Sequence, residues 1–170
     1  MSVLSDIAKQ AMMQPQEAML AVKNKKNSLY IGIPKETSFQ ENRIALTPLS
    51  VGLLVQNGHE VVIETGAGLA ANFNDNHYSE QGAMIVYDKK EVYKADLIIK
   101  IAPPTEDEVS MMKMGQVLFS ALQMSTIKVE YIQSLMKKNI TALSFEYLRD
   151  EGNVLTVVRA MSEIVGATSI

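Results

Sequence analysis

The sequence predicts an α/β protein whose sheet is mostly parallel and covered by helices on both faces. Three observations predict it. Short runs of β-branched and aromatic residues alternate along the chain with stretches of helical period. Helix boundaries carry recognisable caps: Thr47 before Pro48, Gly58 after Asn57, and Thr105 followed by Glu108 in a capping-box pattern. The run Leu29, Tyr30, Ile31, Ile33 delivers a loop dense in charge, PKETSFQENR, to the helix start at Pro48. Repeated strand–helix units of this kind call for right-handed crossovers and a sheet buried on both sides.

Taken in order, residues 1–28 read as an N-terminal helical extension and linker. Its helical pieces break near Pro15, and Lys23 to Asn27 is polar. Its methionines read as packing against the domain or a partner subunit rather than as cofactor contacts. The body, 29–155, begins with the strand at Leu29, stopped by Pro34. Pro48 to Asn57 is a helix with Val51, Leu54 and Val55 on one face, ended by Gly58. Val61 to Ile63 is a strand, Asn76 to Gln81 a short helix, and Ala83 to Tyr87 a strand. Lys89 to Lys94 is helical, and Leu97 to Ile101 is a buried strand ending before Pro103 and Pro104. Thr105 opens the next helix, and Val117 to Leu122 is a strand. Thr126 to Lys138 is a helix expected to turn Val129, Ile132, Leu135 and Met136 inward, and Ile140 to Leu143 is a strand. From Thr156 the chain reads as a helix still in progress at Ile170. Residues 156–170 are therefore expected to begin a linking helix to a further domain.

Composition narrows the function. The 170 residues suffice for one domain with a real core, and 47% hydrophobic with 21% charged residues is ordinary for a globular chain. A net charge of −3 gives no basic field for nucleic acid or for a membrane surface. There is no cysteine, which excludes disulfides and cysteine-based zinc sites and fits a reducing cytoplasm. No apolar run approaches the ~20 residues of a membrane span. Two histidines, His59 and His77, are too few for a histidine-rich metal site and read as surface residues.

Arg43 is the leading binding candidate. Its rigid fork suits a carboxylate or phosphate, and its loop follows a strand end. The alternative is a surface ion pair with Glu36 or Glu41, the commoner fate of such charges. Lys100, near the end of an apolar strand, either binds an anion in a cleft at the sheet edge or snorkels to solvent. Gln123, after the next strand, can orient a ligand but cannot transfer a proton. Glu36 is a candidate base, with an ion pair as the simpler reading. Gly66-Ala67-Gly68-Leu69-Ala70-Ala71 matches the dinucleotide G-x-G-x-x-G/A pattern after a strand, with Asp88 at about the right distance. It reads as a turn nonetheless. The continuation Asn72 to Asn76 is loop, whereas the fingerprint needs a helix beginning within the motif.

The segments IGIPKETSFQENRIALTPLSVGLLVQNGHEVVIETGAG, ADLIIKIAPP, GQVLFSALQ and RAMSEIVG resemble the N-terminal domain of the alanine dehydrogenase and pyridine nucleotide transhydrogenase family. The resemblance covers about residues 29–170. It implies a Rossmann-like, substrate-side domain, an NAD cofactor bound mainly by a domain beyond Ile170, an amino-acid or keto-acid substrate, and self-association. By the same resemblance Arg43 matches the arginine that holds substrate carboxylate, and Lys100 matches the first of two lysines. Ala102 replaces the second lysine, which binds substrate. Gln123 stands where dehydrogenases carry a catalytic histidine, and Met161 and Ser162 match residues on the nicotinamide side. Three functions follow: an alanine dehydrogenase-like oxidoreductase, the NAD(H)-binding component of a transhydrogenase, or a non-catalytic assembly domain.

Overall fold

The computed structural model describes residues 28–124 and 126–168, so the expectations for the first 27 residues lie outside it. Six strands form one sheet: β1 (Tyr30–Ile33), β2 (Glu60–Glu64), β3 (Met84–Val86), β4 (Leu97–Ile99), β5 (Val117–Ser120) and β6 (Thr141–Ser144). Their order is β3-β2-β1-β4-β5-β6, and every pairing is parallel. The helices are α1 (Pro48–Gln56), α2 (Asp75–Ser79), α3 (Lys89–Val92), α4 (Glu106–Met111), α5 (Val129–Lys137) and α6 (Thr156–Thr168). Single 3₁₀ turns cover Leu69–Ala71 and Phe145–Tyr147.

Alternation along the strands sends successive residues to two cores, one on each face of the sheet. Ile31, Ile33, Val61 and Ile63 pack with Val51 of α1 and Tyr78 of α2. Val62, Ile98 and Leu118 pack with Val92, Tyr93 and Leu135 on the other side. Each such side chain contributes about 1.5–3 kcal/mol by leaving water. The caps form as read. Thr47 accepts the Ser50 N–H, Gly58 adopts φ 89°, and Thr105 and Glu108 complete a capping box.

Two expectations need correction. On α5, Leu135 is buried and Ile132 half-buried, but Val129 and Met136 are 64% and 68% exposed. The inward stripe runs instead through Tyr131, which packs on the core one turn before Leu135. The helix also begins at Val129, with Lys128 as an N-cap that makes no side-chain bond, rather than at Thr126. Two strands at the site are shorter than read: β4 stops at Ile99 and β5 at Ser120, so Lys100 and Gln123 lie beyond strand ends.

The chain builds outward from β1 to β3, then returns to start β4 on the other side of β1. Strand order therefore reverses between β1 and β4, and a crevice opens outside their carboxyl ends. The loop from Pro34 to Thr47 and the segment starting at Lys100 both leave the sheet there.

Candidate functional site

Lys100 neither snorkels to solvent nor stands free for an anion. Its side chain is fully buried, with Nζ 2.9 Å from Glu108 Oε2 and 3.5 Å from Glu36 Oε2. Glu108 Oε1 also receives Lys89 Nζ at 3.0 Å, and its Oε2 accepts the Thr105 N–H at 2.9 Å. Glu36 Oε1 accepts the Ile101 N–H at 2.6 Å. Two cations and two anions thus interlock α3, α4, the end of β4 and the loop after β1. Burial alone would raise the Glu108 carboxyl, but Lys100, the Thr105 N–H and Lys89 outweigh it and hold Glu108 below its ordinary value. For Glu36 burial wins over Lys100 and the backbone N–H of Ile101, and its carboxyl is pushed up. The cap pattern identified Glu108, but its second task depends on tertiary pairing that no local pattern signals.

Arg43 realises the ion-pair alternative. Its Nε donates to Glu41 Oε1 at 2.8 Å and its Nη2 to Glu41 Oε2 at 2.5 Å, a two-pronged grip on a carboxylate. The hydrogen bonds to Arg43 lower the Glu41 carboxyl and raise the guanidinium. The third nitrogen, Nη1, points to Met161 Sδ at 3.8 Å. The side chain is 52% exposed and borders three cavities. The cavity of about 580 Å³ brings Arg43 together with Gln123, Met161 and Ser162. The one of about 460 Å³ runs beneath Arg43 along Ile99, Lys100 and Ile101 to Phe119 and Phe145.

Arg43, Gln123, Met161 and Ser162 therefore line one cavity, Lys100 forms part of the floor of its neighbour, and Glu36 is drawn into the buried cluster with Lys100. Gln123 sits in the loop beyond β5 with φ 48°, its N–H donating to Glu146 Oε2 at 2.9 Å. Met161 and Ser162 lie on α6, and the Ser162 hydroxyl donates back to the Val158 carbonyl at 2.8 Å. Glu146, which the sequence reading did not single out, joins them on the cavity wall.

The glycine motif binds inward. Asp75 at the start of α2 accepts both the Gly66 N–H at 2.8 Å and the Thr65 hydroxyl at 2.6 Å, so the protein's own carboxylate fills the turn. A Cβ on Gly68 would meet the Phe73 carbonyl oxygen at 2.8 Å, so this glycine serves close packing. Asp88 caps α3. His59 accepts the Leu29 N–H and His77 completes the α2 capping box, so both do structural work. Among the described residues no group of three acidic or histidine side chains is placed to hold a metal ion, and no helix is long and apolar enough to cross a membrane.

A parallel sheet ordered 3-2-1-4-5-6, with its functional loops at the reversal, defines a doubly wound, Rossmann-like α/β domain. Residues 32–165 match the family described as alanine dehydrogenase/PNT, N-terminal domain, and the chain belongs to it. The alanine dehydrogenase of Bacillus subtilis is 40% identical over 138 residues, which are 81% of this chain and 36% of that protein. A solved L-alanine dehydrogenase superposes with a TM-score of 0.78 at 36% identity, over 82% of this chain and 38% of that one. The transhydrogenase from Sinorhizobium meliloti superposes less well, with a TM-score of 0.64 at 29% identity over 69% of this chain and 35% of that one. The chain spans little more than a third of the length of these relatives, and alanine dehydrogenase is the better match.

Proposed function

We propose that this chain is the substrate-side domain of an NAD-linked oxidoreductase that converts L-alanine, NAD and water to pyruvate, ammonium and NADH. The observation that carries the reading is Arg43, which grips a carboxylate with two prongs on the wall of the cavity beyond the carboxyl ends of β5 and β6. Glu41 stands where a substrate carboxylate would bind, and Nη1 remains directed along the cavity toward Met161. An incoming carboxylate either displaces Glu41 or engages Nη1 beside it. Lys100 supports the site from below. It holds Glu36, and with it the loop that carries Arg43, rather than touching the ligand.

The cavity wall of Val158, Met161 and Val165 beside Ser162 suits the flat, largely apolar nicotinamide ring. When bound, NAD supplies the acceptor for hydride. The turn at Gly66 does not suit the pyrophosphate, because Asp75 holds its N–H. The bulk of the nucleotide is accordingly assigned to a domain beyond residue 170. Residues 29–155 make up the substrate-side unit and 156–170 the link. The small-molecule reading includes a cytoplasmic location and self-association, for which the outward Val129 and Met136 of α5 offer an apolar surface.

The test uses the full-length protein, with NADH production from L-alanine and NADH consumption with pyruvate plus ammonium followed by absorbance. Arg43→Ala raises KM for both substrates by roughly tenfold or more, the worth of a partly exposed charge-assisted pair. Unchanged KM and kcat would remove Arg43 from the site. A second reading, hydride exchange between two nucleotides, draws on Gln123 and Ala102, since that reaction needs neither the imidazole nor the second lysine. Exchange between NADH and an NADP-type acceptor, with no turnover of alanine or pyruvate, would favour it. NADH binding without either turnover would favour an assembly role.

A further inference from the structure

We propose that Glu146 reads the amino group of the substrate, so that the cavity selects a zwitterionic α-amino acid. The inference rests on the oxidoreductase reading above and names the group that would recognise the end of the substrate opposite Arg43. The large cavity carries one cation, Arg43, and one anion, Glu146, with the neutral Gln123 and Ser162 between apolar residues. A wall with one charge of each sign complements a small molecule that carries both. A keto acid carries only a carboxylate and engages Arg43 alone.

The geometry of Glu146 supports the assignment. It lies in the 3₁₀ turn Phe145–Tyr147 directly after β6, anchored by the buried Phe145. Its Oε2 is fixed by the Gln123 N–H at 2.9 Å and by the Ser144 hydroxyl at 3.1 Å. Its Oε1 takes no hydrogen bond among the described residues, and Glu146 is part of the cavity lining. One oxygen is therefore held by the protein and the other is left for a donor. An ammonium has three donors and no acceptor, as such an oxygen requires. The positions where the family resemblance expects a second lysine and an imidazole are Ala102 and Gln123. Neither can bear a charge, which leaves Glu146 as the ionisable group beside Arg43 on that wall.

Glu146→Gln in the full-length protein tests this. The amide oxygen still accepts from Gln123 and Ser144, so the turn keeps its bonds. KM for L-alanine is expected to rise about tenfold, the worth of one charge-assisted hydrogen bond at a half-buried site. KM for pyruvate is expected to stay level or fall, because an anion near its path is gone. Equal changes in both KM values, or an unchanged KM for L-alanine, would overturn the proposal and leave Glu146 as a support for the loop. A second measurement needs no variant and no turnover. Calorimetry with NAD present compares 2-aminoisobutyrate, which has no α-hydrogen to lose, with isobutyrate, which has no amino group. Tighter binding of the amino compound supports Glu146 as its reader, and equal or weaker binding overturns it. An enzyme that fails to oxidise alanine but discriminates these two ligands separates failure of the activity from failure of the binding site.

Discussion

Replacing Lys100 by Met keeps the volume of the side chain and removes its charge. The wild-type cluster holds two cations and two anions. The variant holds Lys89, Glu36 and Glu108, a net negative charge sealed under the sheet edge. Breaking one partner out of a buried ion pair costs about 3–5 kcal/mol. Glu108 keeps Lys89 and the Thr105 N–H, and Glu36 keeps the Ile101 N–H. The loss therefore falls at the lower end, about 3 kcal/mol. With a urea slope of about 2 kcal/mol/M, the midpoint drops by roughly 1.5 M. The corresponding fall in Tm is about 10 °C. Burial already raises the Glu36 carboxyl, so protonation relieves part of the excess charge, and the deficit is smaller near about pH 5 than near about pH 8. Adding Glu36→Gln to Lys100→Met should recover at least about 1 kcal/mol. Urea unfolding of the 170-residue chain followed by circular dichroism measures all of this. A loss under about 1 kcal/mol, the value of an exposed pair, would refute the reasoning, because it would mean that water reaches the cluster.

The two carboxylates of that cluster give opposite pH limbs. Glu108 is held below its ordinary value, so its contribution is complete above about pH 4.5 and is lost as pH falls through its folded value; the stability gap between wild type and Glu108→Gln should shrink on acidification, and a gap that widens would reverse the assignment. Glu36 is pushed up, so its ionisation erodes stability as pH rises from about 4.5 through its folded value, and Glu36→Gln should gain on wild type over that range in denaturant titrations. At the cavity, Gln123→His places an imidazole where the backbone already sits at φ 48°, a conformation histidine tolerates better than most residues. If proton transfer limits turnover, kcat for alanine oxidation should rise at least about tenfold, while an unchanged kcat would place the slow step elsewhere.

Much of the fold was legible because its signals are local. Thr47 with Pro48, Gly58, and Thr105 with Glu108 each act within a turn of helix and take the roles their residue types imply. The glycine turn was separable from a nucleotide cradle for the same reason: only a single 3₁₀ turn, Leu69–Ala71, falls inside the motif, and the α-helix starts after it, capped by Asn74. What the sequence does not carry is the outcome of competition between distant groups. Lys100 had two readings, and a third prevailed because Glu36 and Glu108 arrive from two other elements. Helical period pointed to an inward stripe of Val129, Ile132, Leu135 and Met136 on α5, but contact with the core buries Leu135 and packs Tyr131 while leaving Val129 and Met136 exposed. At the site, spacing pointed to Arg43 and Gln123 but not to Glu146, whose place on the cavity wall arises from how β5 and β6 end side by side.

The grip of Arg43 on Glu41 has a kinetic side. Because the guanidinium is already neutralised by a residue two positions away, a free carboxylate approaching the crevice meets a dipole rather than a bare positive charge. On the route in which a substrate carboxylate displaces Glu41, capture is an exchange of one anion for another, and the total charge at the arginine does not change when the exchange completes. Association should be nearly indifferent to ionic strength, with its speed governed by how often the Glu41 side chain lets go. A site built this way gives up long-range attraction for anions in general and leaves selection to the cavity behind the arginine.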